Sequence, residues 1–428
     1  MRSTSHSGAG GVSGRARRVA LAAALITAAI VVVAATLGDG RPTPPGAAAP
    51  ARPEGAVLAA EVAPASSPAA PGAAFPAADC APASVVPGAV LGLGIPRPAR
   101  LLQAGPERAV FDDAVTCLEG ITGAPPTLRT QIPIDAARRA ISGDDEISEL
   151  RAFGALLATT GGPGIISIRA HDFTRCGRRG APPSREIDEL EPGLPLGACD
   201  YPTPRLYGRL FAEVRALADA IAPGVALTWT AWNEPDHPMF TLLDGLGSEG
   251  AARRAGEYWA QAASQVGDAR VLAGEFSDRD PGELRQLRRA FVIGAGRTPA
   301  AWALHPYRDL TAPAAAPGQS VDEQFAADVA PAPVWLTEVT ARLSGRRSLG
   351  GDDRGQLTRG AWLRAELERR PVKVMLYLLT PPDAARVAAG DTWDSAIADR
   401  QGRARPFICG LAGLPPERCP GDPAAFGG

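Results

Sequence analysis

From about Gly88 to the C-terminus, short apolar runs alternate with stretches in which apolar residues recur at helical spacing. Eight runs read as strands: Val90–Ile95, Thr127–Ile134, Gly164–Ala170, Ala226–Trp232, Val271–Phe276, Ala301–His305, Val334–Val339 and Val372–Leu379. Helical stretches fall at Glu107–Gly120, Asp144–Thr159, Arg205–Ala222, Gly250–Val266, Pro281–Ile293, near Val321–Val329, at Gly355–Arg370 and near Arg405–Leu411. Strands that alternate with helices imply a parallel sheet. Eight such units predict an α/β fold closed as a (β/α)8 TIM barrel, and about 340 residues suits a barrel with insertions. A doubly wound open sheet is the competing arrangement. No GxGxxG or P-loop follows any run, so the phosphate cradle of nucleotide-binding sheets is missing.

Upstream the pattern changes twice. Arg2, Arg15, Arg17 and Arg18 precede an uncharged, mostly apolar run from Val19 to Gly38. Roughly twenty apolar residues in helix span a ~30 Å hydrocarbon core, and basic residues before them hold that end in the cytoplasm. The run reads either as a signal anchor that stays in the membrane or as a secretory signal cut near Val33-Ala34-Ala35. Both place the remainder outside the cytoplasm. From Asp39 to about Pro87, Ala, Pro, Gly and Ser predominate. Such a segment buries too little surface to offset its ordering entropy, and is expected to be a disordered, partly extended spacer. The expected organisation is therefore 1–38 tail and apolar segment, 39–87 linker, and 88–428 barrel domain.

A hydrophobic fraction of 45% provides for a sizeable core. The formal charge of −2, with Arg scattered among acids, offers no basic stripe for nucleic acid. Heavy use of Ala, Gly and Pro suggests a GC-rich bacterial genome. All six cysteines lie beyond the apolar run, as expected of disulfides in an exported chain. Pairing of neighbours is expected: Cys80–Cys117, Cys176–Cys199 and Cys409–Cys419. Cys80 would tie down the end of the linker, and Cys176–Cys199 would close a long insertion running from His171-Asp172 to about Tyr201. No CxxC occurs, and the four histidines lack metallohydrolase spacing, so neither metal nor cofactor is expected.

In a barrel of this kind, chemistry gathers at the C-terminal ends of the strands. The fourth run ends in Trp229-Thr230-Ala231-Trp232-Asn233-Glu234-Pro235, the sixth leads into His305-Pro306-Tyr307, and the seventh closes on Thr337-Glu338. These ends would bring two carboxyl groups, an amide, an imidazole and a phenol to one cleft. Glycoside hydrolysis needs two carboxyl groups, one protonated for the leaving oxygen and one ionised to attack carbon or activate water. Their environments must separate their pKa values. Glu234, between Trp232 and Pro235, is expected in apolar company that favours its protonated form. Glu338 is expected to be kept ionised by donors such as Tyr307 and Arg129 of the second run. Glu275, near the end of the fifth run, is a further candidate for lining the cleft.

Asn-Glu-Pro on the fourth strand, His-x-Tyr on the sixth and Thr-Glu on the seventh resemble the clan A retaining glycoside hydrolases. Among these, the cellulase-like family five and family thirty-nine are the nearest in pattern. The stretch Trp393-Asp394-Ser395-Ala396 with Gly402-Arg403-Ala404-Arg405-Pro406 is similar to the way such barrels enter their last helix. The resemblance covers about Gly88 to the C-terminus. It implies Glu234 as acid/base, Glu338 as nucleophile, Asn233 on the sugar 2-hydroxyl, and Tyr307 orienting the nucleophile with His305 beside it. The eighth strand, Leu376-Tyr377-Leu378-Leu379-Thr380-Pro381, lacks the Trp that usually floors the sugar subsite, and Trp393 is the candidate substitute.

The expected function is a retaining glycosidase acting on a carbohydrate outside the cytoplasm, with the two carboxyl groups about 5–5.5 Å apart. Aromatics make up 5% of the chain, which suits a short pocket better than a long stacking cleft. A transglycosylase acting on wall glycans would use the same residues. A non-catalytic barrel that binds glycan or protein at the cell surface is the alternative from a different class.

Overall fold

All eight expected strands form, and they close on themselves: β1 (Val90–Gly94), β2 (Thr127–Pro133), β3 (Gly164–Arg169), β4 (Leu227–Thr230), β5 (Val271–Phe276), β6 (Trp302–Leu304), β7 (Val334–Val339) and β8 (Lys373–Leu376). Each pairs in parallel with its neighbours in the chain, and β1 pairs with β8. The architecture is a (β/α)8 barrel, not an open sheet. These features come from a computed structural model that describes Cys80 and residues 85–419, apart from 142–145, 172–175, 177–181, 238–241, 278, 312–317, 344–352, 382–386, 388–393, 400–401 and 416–417. The apolar run Val19–Gly38 and the linker to residue 79 lie outside the described residues. Among the described residues, no helix is long and apolar enough to cross a membrane.

Helices cover the strands: α1 (Pro106–Thr122), α2 (Ala136–Ile141), α3 (Glu146–Thr160), α4 (Pro204–Ile221), α5 (Gly247–Val266), α6 (Pro281–Ala295), α7 (Tyr307–Thr311), α8 (Val321–Val329), α9 (Asp353–Arg369) and α10 (Pro406–Ala412). Local sequence starts several of them as helix chemistry predicts. Thr203 caps α4 and Ser320 caps α8 through their hydroxyl groups, and Pro stands in the first turn of α4 and α6. The two short helices α2 and α7 were not expected, because a helix of one or two turns has too few residues to display a period.

The main core lies between strands and helices. Trp229 and Trp232, the aromatics of the fourth strand end, pack outward against Phe211, Tyr207 and Tyr258 of α4 and α5. Phe276, Phe291, Trp302 and Phe325 interlock in the same way behind β5 and β6. A separate small cluster of Leu272, Ala301 and Ala303 with Trp335, near the starts of β5 to β7, floors the barrel. Gly92 is required where β1 meets that interior: a Cβ there would lie 2.2 Å from the Thr127 carbonyl oxygen and 2.4 Å from Met375 Sδ.

Two of the three expected disulfides are present, Cys80–Cys117 and Cys176–Cys199. The third is a correction. Cys409 and Cys419 are not bonded to each other: Cys409 is buried within α10, while the Cys419 thiol is directed at the Pro415 carbonyl at 3.6 Å. The insertion between β3 and α4 contains a two-stranded parallel ribbon, Arg185–Ile187 with Asp200–Pro202. It is fastened to α2 at the mouth of the barrel. The Arg138 guanidinium donates to the carbonyls of Glu191 and Leu194, Arg139 donates to that of Leu196, and Asp135 accepts from the Leu196 N–H.

Candidate active site

The ends of β2, β4, β5, β6 and β7 bring Arg129, Gln131, Asn233, Glu234, Glu275, His305, Tyr307 and Glu338 together inside the barrel mouth. Glu338 is held through both of its oxygens. Its Oε1 accepts from Arg129 Nη1 at 2.8 Å and Gln131 Nε2 at 2.6 Å, and its Oε2 from the Tyr307 hydroxyl at 2.9 Å. Asn233 Oδ1 accepts from Arg129 Nη2 at 2.9 Å and Gln131 Nε2 at 3.2 Å. That orientation leaves the Asn233 amide N–H groups to donate elsewhere.

Glu234 sits on a tight turn. Its φ is +43°, its N–H donates to the Glu275 carbonyl at 3.1 Å, and its own carbonyl accepts from the His237 N–H at 3.1 Å. Below the turn, Asp236 accepts from the N–H and hydroxyl of Ser277 and from Arg279, stitching the loop after β4 to the loop after β5. Glu275 has φ +55° and follows Gly274 at φ +83°, where the register between β5 and β6 shifts. This bulge admits an extra residue, so Glu275 enters the barrel while Phe276 points out to the helices. Among the described residues, Glu234 and Glu275 are the two non-glycine residues with positive φ. Such backbones cost of order 1–3 kcal/mol each and concentrate at functional sites.

The electrostatics correct one expectation. Glu234 was expected to sit in apolar company and hold its proton, but Trp232 packs outward and His305 Nδ1 lies 2.9 Å from Glu234 Oε1. Burial pushes the Glu234 carboxyl up, and the hydrogen bond and positive field of His305 outweigh it, so its pKa is lowered. His305 itself is fully buried, which disfavours its charge. The Glu338, Glu234 and Glu275 carboxyl groups around it overcome that and raise its pKa to about 10. Tyr307 is pushed well above its usual range by burial and by Glu338.

Glu275, the further candidate for lining the cleft, is completely buried. Burial would raise its pKa, but Arg129, His305 and Thr230 hold it down at about 2. Gln131 and Asp236 were not singled out from the sequence. Gln131 stands two residues from Arg129 on β2, and the strand period of two places both on one face, so the signal was present. Trp393 lies outside the described residues. At the end of β8 the half-buried Tyr377 stands within electrostatic reach of Arg129 and Tyr307, its ring against Gly94.

Glu234, His305 and Glu338 each offer one atom within 4.8 Å of the others, a spacing that could hold a metal ion. The donor chemistry fits proton handling better. His305 Nδ1 is at hydrogen-bond distance from Glu234 Oε1, and both Glu338 oxygens are engaged, Oε1 by Arg129 and Gln131 and Oε2 by Tyr307. The Arg129 guanidinium already supplies a cation to Glu338.

No protein-family model matches the chain, and no curated protein matches it. Several solved structures are similar to it. They include the family 39 glycoside hydrolase of Xanthomonas axonopodis pv. citri, at 14% identity over 76% of this chain and 65% of that one, with a TM-score of 0.48. A family 39 glycoside hydrolase from the gut symbiont Bacteroides cellulosilyticus has 15% identity over 78% and 64% of the two chains, with a TM-score of 0.46. A family 5 enzyme from Streptomyces cattleya, determined in complex with GlcNAc, has 14% identity over 76% and 79%, with a TM-score of 0.47. The chain spans just under two thirds of the length of the first two. No residue role follows from likeness at this level.

Proposed function

We propose that this protein is a retaining glycoside hydrolase with Glu338 as nucleophile and Glu234 as acid/base. The observation that carries the reading is the facing pair itself. One oxygen of Glu234 and one of Glu338, from the ends of β4 and β7, lie within 4.8 Å of each other. Retaining enzymes hold their carboxyl groups about 5–5.5 Å apart, whereas inverting enzymes need about 6.5–9.5 Å to admit a water.

In the first step Glu338 attacks the anomeric carbon as the glycosidic C–O bond breaks, and the leaving oxygen takes a proton from Glu234. In the second, Glu234 takes a proton from water, the oxygen of that water attacks the anomeric carbon, and the ester to Glu338 breaks. The lowered pKa of Glu234 is compatible with the acid role because His305 Nδ1 and Glu234 Oε1 share one hydrogen bond. The pair titrates as a unit. The proton given to the leaving group is drawn from His305 Nδ1 through Glu234, and returns to His305 from water. Arg129, Gln131 and Tyr307 orient Glu338 for attack, and the Asn233 amide is placed to donate to a sugar hydroxyl.

A panel of aryl glycosides followed by NMR is expected to yield product with retained anomeric configuration. A 2-fluoro glycoside of the sugar that turns over is expected to add one glycosyl mass to the Glu338 peptide. Inverted product would sink the nucleophile assignment. Absence of both turnover and adduct across the panel would favour a glycan-binding barrel. Product carrying the sugar on a second sugar in preference to water would identify a transglycosylase.

The location we infer is outside the cytoplasm. Its supports are the two disulfides, which persist in oxidising compartments, and the basic, then apolar, N-terminal segment. The mass of the N-terminal peptide from protein isolated in its native cells tests this. A peptide beginning after Ala35 indicates secretion, an intact one in the membrane fraction indicates an anchor, and an intact one in the cytosol refutes both.

A further inference from the structure

Beneath Glu234 and Glu338 lies a third carboxyl group that neither step uses. Glu275 Oε1 accepts from Arg129 Nη2 at 2.7 Å, Arg129 Nε at 3.2 Å and Ser167 Oγ at 2.9 Å. Its Oε2 accepts from the Thr230 hydroxyl, and His305 Nε2 lies 3.6 Å from Oε1. Barrel interiors at this depth are usually layers of branched apolar side chains. A buried carboxylate on a left-handed backbone costs stability twice, through desolvation and through strain.

We propose that Glu275 is a positioning residue for the glycosidase reaction, fixing Arg129 beneath Glu338 and His305 beneath Glu234 so that the two catalytic groups keep their facing geometry. The proposal rests on the roles given to Glu234 and Glu338 above. Arg129 turns Nε and Nη2 to Glu275, which leaves Nη1 for Glu338 at 2.8 Å. His305 Nε2 makes no hydrogen bond and lies 3.6 Å from Glu275 Oε1, an ion-pair distance for the protonated ring, while Nδ1 faces Glu234 at 2.9 Å. One buried carboxylate thus holds Arg129 by two hydrogen bonds and faces His305 through charge, and each cation presents a donor on its other side to one catalytic group.

His305 is faced by Glu234 from the loop after β4, by Glu275 from β5, by Glu338 from β7 at 3.7 Å, and by Tyr307 from its own segment. Arg129, from β2, opposes them from across the carboxylates. Burial works against the imidazolium and these acids sustain it, so it is protonated up to about pH 10. Neutralising Glu275 removes one of the three acids while leaving the hydrogen-bonding shape of the side chain.

The experiment labels the histidines of the full chain with 15N and follows the His305 ring by NMR, with His305→Gln assigning its signals. In the wild type, both ring protons are expected to persist through pH 8. In Glu275→Gln, His305 is expected to release its proton at least about one pH unit lower. The variant's kcat/KM is expected to fall about 10–100-fold, mostly in kcat, because misplacement at the reacting centre acts on the transition state. The alkaline limb of the activity profile should move down in pH with His305. A variant with wild-type His305 titration, or with wild-type kcat/KM, overturns the proposal. If Glu275→Gln does not fold, the wild type alone still decides: a His305 that loses its proton at or below the ordinary 6.5 overturns it. Absence of glycoside turnover by the wild type would instead refute the enzyme reading, and the His305 titration separates that failure from this one.

Discussion

Replacing Glu338 with Ala is expected to lower glycoside turnover by about 10⁴-fold or more, as removal of a covalent nucleophile does in other two-step enzymes. The size follows from what remains. Without Glu338 no group in the site can form the ester, so the reaction must wait for a small nucleophile to occupy the vacated space. Azide or formate should therefore restore part of the rate with aryl substrates. The rescued azide product should have inverted configuration, because a single displacement replaces two. The fold should survive: Arg129 keeps Glu275 and Asn233 as partners, and Tyr307 and Gln131 can turn to water. Turnover within tenfold of the wild type, measured on protein with an unchanged circular dichroism spectrum, would remove Glu338 from the mechanism.

The second large effect falls on stability. Arg129 donates to Glu275, Glu338 and Asn233, and both it and Glu275 are almost wholly buried. Arg129→Leu preserves much of the volume but takes from Glu275 its guanidinium partner, leaving His305 at 3.6 Å as the nearby cation. Breaking one side of a buried pair costs about 3–5 kcal/mol. The pH dependence gives the signature. Glu275 has its pKa depressed to about 2, so its favourable interactions contribute fully above about 4.5 and are lost as pH falls towards 2. The gap in denaturant midpoint between wild type and Arg129→Leu should be widest at neutral pH and narrow across that acid window. Arg129→Lys should lie between them, because an ammonium supplies charge without the planar fork that reaches three acceptors. A variant as stable as the wild type at pH 7 would show that Arg129 does not hold this cluster together.

How much of this was legible before folding depended on the reach of each signal. Val321–Val329 and Val334–Val339 form with the bounds read from the chain, because apolar periodicity and capping are local. The order of strands around the barrel followed from the alternation, since right-handed crossovers between parallel neighbours leave little freedom. Glu234 and Glu338 were visible because strand ends are where such a barrel gathers its chemistry. Gln131 was passed over although the strand period of two places it on the same face as Arg129. Glu275 was visible as a candidate but its depth was not: strand alternation cannot announce a bulge, and the bulge at Gly274–Glu275 turns it into the barrel, where it is completely buried.

The amino-acid order alone therefore determined that there are eight strand–helix units, that two glutamates end the fourth and seventh strands, and that cysteines lie only beyond the apolar N-terminal run. These follow from period, turn residues and spacing, all expressed within a few residues of chain. Only the tertiary structure decided which groups surround each carboxyl, and hence its charge. Glu234 has Trp232 beside it in sequence and His305 beside it in space, and an electrostatic field depends on distance in space. The same distinction brings Arg129 of β2 and Glu338 of β7, far apart in the chain, to 2.8 Å.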